Sequence, residues 1–286
     1  MASANKLFYN RIGHVEIEQP DGGYISYRGL DYKFDVQING CTYSRFTVGI
    51  CGLSRESLNN IIIWRSPNAY DNPRHIKVYA GYEDGGESLI AEGGIFSAIP
   101  TTPPDVWVNI EACKFLEKRV HAAHEASHEA KFEEILKIVA EIFNLDYLDK
   151  TTSVDKGKKY DFDYSGSIER LPQKLADAFN IVVYEQDGVL IARDKGGEYK
   201  SPNDAIPIDT EHGLLAVSSV DYCKVSLTMR LNTIFELFTW VDLTSTRIPQ
   251  ANGKYWVTNI RHTGQLRGET WQTTITALKH VTVVNK

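Results

Sequence analysis

The sequence predicts an α+β protein that is mainly β, with two antiparallel β regions flanking a small helix-containing unit. Three observations predict this. Apolar and polar residues alternate in many short runs, Gly-, Asn- and Pro-rich clusters separate those runs, and near residue 130 the apolar period changes from two to the helical spacing.

Residues 1–118 read as β. Tyr32, Phe34, Val36 and Ile38 alternate with Lys33, Asp35 and Gln37; Phe46, Val48 and Ile50 repeat the pattern, as do Val106, Val108, Ile110 and Ala112. Period two marks a half-buried antiparallel strand. Turn clusters lie between the runs: Asp21-Gly22-Gly23, Asn39-Gly40, Asp84-Gly85-Gly86 and Pro103-Pro104-Asp105. Asn39-Gly40 predicts a tight hairpin, because a type I′ turn needs positive φ at both central residues. The run Ile61-Ile62-Ile63-Trp64 is strand-sized. Many short strands at this spacing fit a barrel or a sandwich.

Residues 119–197 read as an α+β unit. Phe132, Ile135, Leu136, Val139 and Phe143 fall at i, i+3, i+4, i+7 and i+11, one face of an amphipathic helix. A second helix is expected from Leu171 to Asn180. Pro172 suits its first turn, where a missing N–H costs nothing, and Asn180 can close it. A hairpin follows, Ile181–Tyr184 and Val189–Ala192, turning through Asp187-Gly188. Residues 198–286 return to β. Pro202, Pro207 and Gly213 punctuate the start, Tyr255–Ile260 forms a strand, and Trp271, Thr273, Ile275 and Ala277 alternate.

A chain of 286 residues allows one large domain or two to three small ones, and 42% apolar with 24% charged residues excludes a disordered or fibrous chain. The net charge of −6 argues against a DNA-coating protein or a basic membrane binder. No apolar run approaches the ~18 residues of a membrane-spanning segment. The segment Met1–Lys6 lacks the apolar core of a secretory signal. Cys41, Cys51, Cys113 and Cys223 lie far apart without a Cys-x-x-Cys pair, so they read as free thiols rather than a zinc ribbon or redox dithiol.

One motif looks enzymatic. His124-Glu125-Ala126-Ser127-His128 is a literal H-E-x-x-H, and His121 would extend the same helical face. On a helix, two histidines four apart can hold Zn²⁺ with the glutamate as general base. Against this, Lys131 and Glu134 stand where the metzincin continuation needs Gly and His. Ala122, Ala123, Ala126 and Glu129 cannot build a dry pocket, and Glu133 and Glu134 would complete only a surface chelate. The motif therefore reads as the solvated start of a connecting helix. There is no G-x-S-x-G elbow, Walker loop or G-x-G-x-x-G. Gly81–Gly86 reads as a turn rather than a phosphate cradle. Asp146, Asp149, Asp161 and Asp163 lack calcium-loop spacing and read as a solvated edge. The scattered Tyr and Trp residues fit cross-strand packing better than a sugar-binding groove.

Ten residues near the C-terminus form a longer pattern: Gly253, Tyr255, Val257, Ile260, His262, Gly264, Arg267, Gly268, Trp271 and Thr273. This segment resembles the closing hairpin of phage tail hub proteins, the late control protein D-like family of contractile-tailed phages. Gln265 stands where that pattern has an acid. Gly29–Val36, Leu53–Leu58, His75–Tyr82, Gly94–Ile99 and Glu211–Leu215 resemble further elements of the same family, in the same order. The resemblance implies two tube-like β-barrel domains (1–118 and 198–286) of shared architecture, joined by the α+β unit (119–197). It implies a homotrimeric symmetry adaptor in the virion baseplate, assembled in the host cytoplasm. The implied partners are the tail tube, central spike, tape measure and other baseplate proteins. Genomic DNA would pass without specific binding, and no cofactor, metal or catalytic residue is implied. The competing readings are a zinc-dependent peptidase or tail-associated wall hydrolase using His124, Glu125 and His128, and a sugar-binding β module.

Overall fold

The computed structural model describes residues 10–19, 21–39, 44–62, 73–115, 122–186, 188–195, 204–221 and 223–279. The first β region holds β1 (Arg11–Glu18), β2 (Tyr24–Arg28), β3 (Tyr32–Asn39), β4 (Arg45–Cys51), α1 (Arg55–Ile61), β5 (His75–Tyr82), β6 (Gly86–Pro100) and β7 (Trp107–Cys113). The alternation read from sequence is the burial pattern: Tyr32, Phe34 and Val36 enter the core while Lys33 and Gln37 face solvent.

Two local expectations are corrected. The run beginning at Ile61 is not a strand: Ile61 ends α1, whose first turn is fixed by the Ser57 N–H donating to the Ser54 side chain at 3.1 Å. Ile63 and Trp64 lie outside the described residues. A two-residue Asn39-Gly40 turn would set Val36 opposite Tyr43, but Val36 stands opposite Phe46, so the β3–β4 connection is longer. Gly40 and Cys41 lie outside the described residues, as do the N-terminal segment, His121, Asp187 and Pro202.

The middle unit contains β8 (Ala122–Lys131), α2 (Phe132–Ile142), β9 (Asp146–Lys150), β10 (Lys159–Ser167), α3 (Leu171–Phe179), β11 (Ile181–Gln186) and β12 (Val189–Asp194). The expected apolar stripe of α2 is fully buried. Pro172 lies in the first turn of α3, and Asn180 closes the helix in the left-handed region at φ 53°. β11 and β12 form the expected antiparallel hairpin, with β9 added parallel to β12. Val183, Leu190 and Ala192 face the unit's own core, while Tyr184 and Ile191 pack into the core of the last region.

The last region contains β13 (Ile206–Ile208), β14 (Leu214–Val220), β15 (Lys224–Arg230), β16 (Trp240–Leu243), β17 (Gly253–Gln265) and β18 (Trp271–Lys279). Both β regions belong to one 13-stranded sheet, ordered β14-β15-β18-β17-β3-β4-β7-β6-β5-β1-β2, with β16 beside β17 and β13 beside β16. The seam is the antiparallel pairing of Asn259–Gln265 in β17 with Lys33–Asn39 in β3. Closure into a barrel requires the end strands to meet. Among the described residues they do not: β2 and β14 end opposite sides of an open path, so the closed barrels implied by the resemblance are not formed by the described strands. The cores also cross the seam, since Leu231 and Trp271 of the last stretch pack in the first core.

The two β regions share one wiring. Leaving β2 aside, the first crosses the sheet as β3-β4-β7-β6-β5-β1 and the last as β14-β15-β18-β17-β16-β13. Each visits the second, third, sixth, fifth, fourth and first strand of its own region. A bulge repeats too. Register shifts after Ile95↔Ala112 in β6–β7 and after Val257↔Ala277 in β17–β18. The copies differ where β1 joins β5 antiparallel but β13 joins β16 parallel.

Candidate functional site: the closing hairpin and its dock

The ten residues of the C-terminal pattern all fall on β17, β18 or the loop between them. Val257, Ile260 and Trp271 are core residues, and buried Tyr255 donates its hydroxyl to the Ala251 carbonyl at 2.7 Å. Gly264 has no room for a side chain: an added Cβ would sit 2.6 Å from both the Phe34 and Trp271 rings. Trp271 meets Phe34 edge-on at 5.2 Å and Tyr32 at 6.2 Å. The pattern is therefore the contact surface of three aromatic rings plus the glycine that lets them close.

His262 and Thr273 form the buried polar part. The Thr273 hydroxyl donates to the Asn232 carbonyl at 3.1 Å and accepts the Asn232 N–H at 2.9 Å. Its single hydrogen is thereby used, so it accepts from His262 Nδ1 at 2.9 Å, which assigns the imidazole proton to Nδ1. Burial lowers the His262 pKa to about 4, so the ring is neutral at pH 7. Its role is to fix the strands.

The loop docks on the first β region almost entirely through backbone acceptors and donors. Arg11 donates to the carbonyls of Gln265 at 3.1 Å, Glu269 at 2.9 Å, and Gly268, while its guanidinium lies 5.7 Å from the Trp271 ring centre. Asp31 accepts from the Arg267 N–H at 3.0 Å and from the Gln265 amide at 2.8 Å. Arg267 reaches the Gly29 carbonyl at 2.8 Å, and the Leu266 N–H donates to the Tyr32 carbonyl at 2.9 Å. Beside the loop, Arg261 holds Asp35 through two bonds of 2.8 and 2.5 Å across the seam. These groups bind chain to chain, and none is placed as a nucleophile beside a base. The arrangement is a clasp.

Sequence reasoning missed Arg11, Asp31 and Asn232. Asp31 lay inside the Gly29–Val36 segment already noted, but its bond to a loop more than two hundred residues away leaves no local pattern. Arg11 sits in a short strand with no signal beyond its alternation. Asn232 is joined to Thr273 only by the fold.

The enzymatic reading loses its geometry. Residues 122–131 form β8, paired with β10 so that His124 stands opposite Ser165 and Glu125 opposite Tyr164. The expected connecting helix is thus corrected to a strand. Residues four apart are separated by about 13 Å along a strand, against about 6 Å on a helix, which removes the two-histidine chelate. A β-strand partner explains the difference: β10 offers a ladder that the small residues of β8 accept. Asp161 and Asp163 are exposed while Phe162 and Tyr164 are buried, as expected, but Asp149 is corrected: its side chain is mostly buried, accepting from the Thr151 N–H at 2.8 Å and pairing with Lys156 at 3.0 Å. Among the described Tyr and Trp residues, Tyr24 alone is exposed, so no aromatic platform for a sugar is assembled. No helix among the described residues is long and apolar enough to cross a membrane.

A family model described as baseplate hub gp41 matches residues 15–277. No curated protein matches. Among solved structures, the chain is similar to the 43 kDa tail protein of prophage MuSo2 from Shewanella oneidensis, at 10% identity and TM-score 0.63, covering 94% of this chain and 98% of that one. It is also similar to a tail protein from Neisseria meningitidis MC58, at 10% identity and TM-score 0.65, covering 95% and 97%. A third likeness is an Escherichia coli type VI secretion component described as structurally similar to phage T4 tail proteins. It has 9% identity and TM-score 0.58, covering 88% and 74%. At such identities the structural likeness speaks for the fold alone.

Proposed function

The chain belongs to the baseplate hub gp41 family, and from that premise we propose that it is a trimeric symmetry adaptor at the centre of a contractile tail. In this reading three copies form a ring that receives the hexameric tail tube on one face and the trimeric spike on the other. The observation that carries it is the repeated wiring of the two β regions. A threefold object can seat a sixfold tube only if each copy offers two nearly equivalent surfaces, and two modules of one topology within one chain supply them. We assign residues 1–118 and 198–286 to those modules, with 119–197 as the unit clamped between them.

The same reading makes the ring part of the DNA conduit. The sheet face turned away from the cores carries Lys33, Thr47, Asn109, Thr263, Thr274 and Ser226, and the described parts of β3, β4, β15, β17 and β18 bear no exposed large apolar side chain. Arg261 on that face is paired with Asp35. A hydroxyl-rich wall with Arg261 held by Asp35, in a chain of net charge −6, would give passing DNA little to grip. No chemistry is required of such a part, which agrees with a clasp rather than an active site. The joints of the ring are expected to bury about 2,000 Å² or more in total, as obligate interfaces do. Native mass measurement of the chain co-purified with tube and spike proteins tests the reading. A complex with three copies is expected, and a complex with six or one would overturn it.

A further inference from the structure

The seam inside the chain gives a template for the joint between chains. In the seam, β17 leaves β16 after its first residues, and its second half then lies along the outer edge of β3. Because the two modules share a wiring, each strand of that joint has a counterpart. Ala112 and Ala277 are equivalent through their matching bulges, and this makes Ala98 the counterpart of Ile260 and Pro100 that of His262. On the other side, Phe46 pairs with Ala112 and Val36 with Phe46, while Val225 pairs with Ala277 and Val220 with Val225. Val220 in β14 is therefore the counterpart of Val36 in β3.

The counterparts differ in one respect. Val36 stands opposite His262 and is 2% exposed, whereas Val220 is 46% exposed and β14 has a neighbour, β15, on one side only among the described residues. All seven residues of β14 are uncharged, and Leu215 is also exposed, at 49%. Natural edge strands are usually guarded by charge or proline, and this one is not. The end of β6 mirrors it: Ala98–Pro100 pair with β7 on one edge, and Ile99 is 39% exposed. In β17 the corresponding residues are paired on both edges.

We propose that the outer edge of β14 is covered by the end of β6, around Pro100, from a second copy of this chain, repeating between chains the β17–β3 seam found within one. This rests on the trimeric ring of the proposed function and adds the strands that close it. The seam sets the register, with Pro100 of one copy opposite Val220 of the next. Pro100 lacks the N–H that His262 has, and β6 ends there, so the joint between chains is shorter than the seam. Each copy contributes one β6 end and one β14 edge, a head-to-tail contact that closes by rotation.

Cross-linking tests the joint. With the native cysteines replaced, Pro100→Cys and Val220→Cys are placed in the same chain and assembled with the other tail components. Directly opposed residues on antiparallel strands lie within disulfide reach. Oxidation is expected to give covalent dimers and trimers on a non-reducing denaturing gel, and neither single variant should do so. The intrachain pair Gln37→Cys with Arg261→Cys, directly opposed across the seam, serves as the positive control. Tails holding three copies that give only monomers, while the control closes, would overturn the joint and leave the ring intact. Tails holding six copies would overturn the ring itself. A second variant guards against misfolding: Val220→Lys should leave the melting temperature of the isolated chain unchanged and abolish incorporation into tails. Normal incorporation would refute the joint.

Discussion

Replacing Trp271 with alanine tests the clasp most severely. The indole is 4% exposed and sits in the first core although it belongs to the last strand. Truncating a buried Trp costs about 3–5 kcal/mol through lost transfer energy and the cavity left behind. The two edge-on contacts with Tyr32 and Phe34 add roughly 0.5–1.5 kcal/mol each where the rings cannot re-pack. The stacked Arg11 guanidinium adds about 0.5–1 kcal/mol. One effect opposes these: the indole Nε1 has no partner among the described residues, so its removal relieves a desolvated donor worth about 1–3 kcal/mol. The net expectation is about 5 kcal/mol, a fall of roughly 10 °C in melting temperature for a chain this size. Thermal unfolding followed by circular dichroism reads the magnitude, and amide hydrogen exchange reads the place. Protection should fall in β1 and β3 as well as in β18, because the ring joins them. A wild-type melting temperature, or a loss confined to β13–β16, would refute the reasoning.

Other variants probe separate parts of the account. Gly264→Ala should destabilise the chain by about 1–3 kcal/mol, since the new methyl would press on the Phe34 and Trp271 rings, and unchanged urea unfolding would contradict that packing. His262 binds its proton less readily when folded, at a pKa of about 4, than the usual 6.5, so the unfolded chain takes up the proton first as pH falls. Stability should therefore drop by about 3 kcal/mol between pH 6.5 and pH 4 and gain no further slope from this group below pH 4. The slope should be shallower in His262→Gln, and equal slopes in urea titrations would rule out the neutral buried ring. The double change His124→Ala with His128→Ala should shift stability by no more than about 0.5 kcal/mol and leave tail assembly intact. Stoichiometric zinc lost together with a peptidase activity in that variant would revive the enzymatic reading.

Much of the local structure was legible because burial follows period. The alternation of Tyr32, Phe34 and Val36, the helical stripe from Phe132 to Phe143, and Pro172 with Asn180 at the ends of α3 each act within a few residues. The errors arose where a partner distant in sequence decided the outcome. His124-Glu125-Ala126-Ser127-His128 has the composition of a helix start, but β10 pairs with it and makes it a strand. Ile61 is the exception, because the deciding signal there is local: the Ser54 cap commits its segment to helix. The ten residues of the closing pattern could be picked out without their reasons, because those reasons are Phe34, Tyr32, Asp31 and Arg11 at the other end of the chain. Open sheet edges were also hidden: the charged, alternating β3 finds β17, whereas the uncharged β14 has only β15 beside it among the described residues, the reverse of what edge chemistry suggests.

A reconstruction of the assembled tail by electron cryomicroscopy, without imposed symmetry, tests the central claim directly. The account requires three copies between tube and spike. The β1–β7 and β13–β18 regions should alternate around the ring, sixty degrees apart, beneath six tube subunits. Six copies in the ring, or three copies whose two β regions make unlike contacts with the tube, would contradict it.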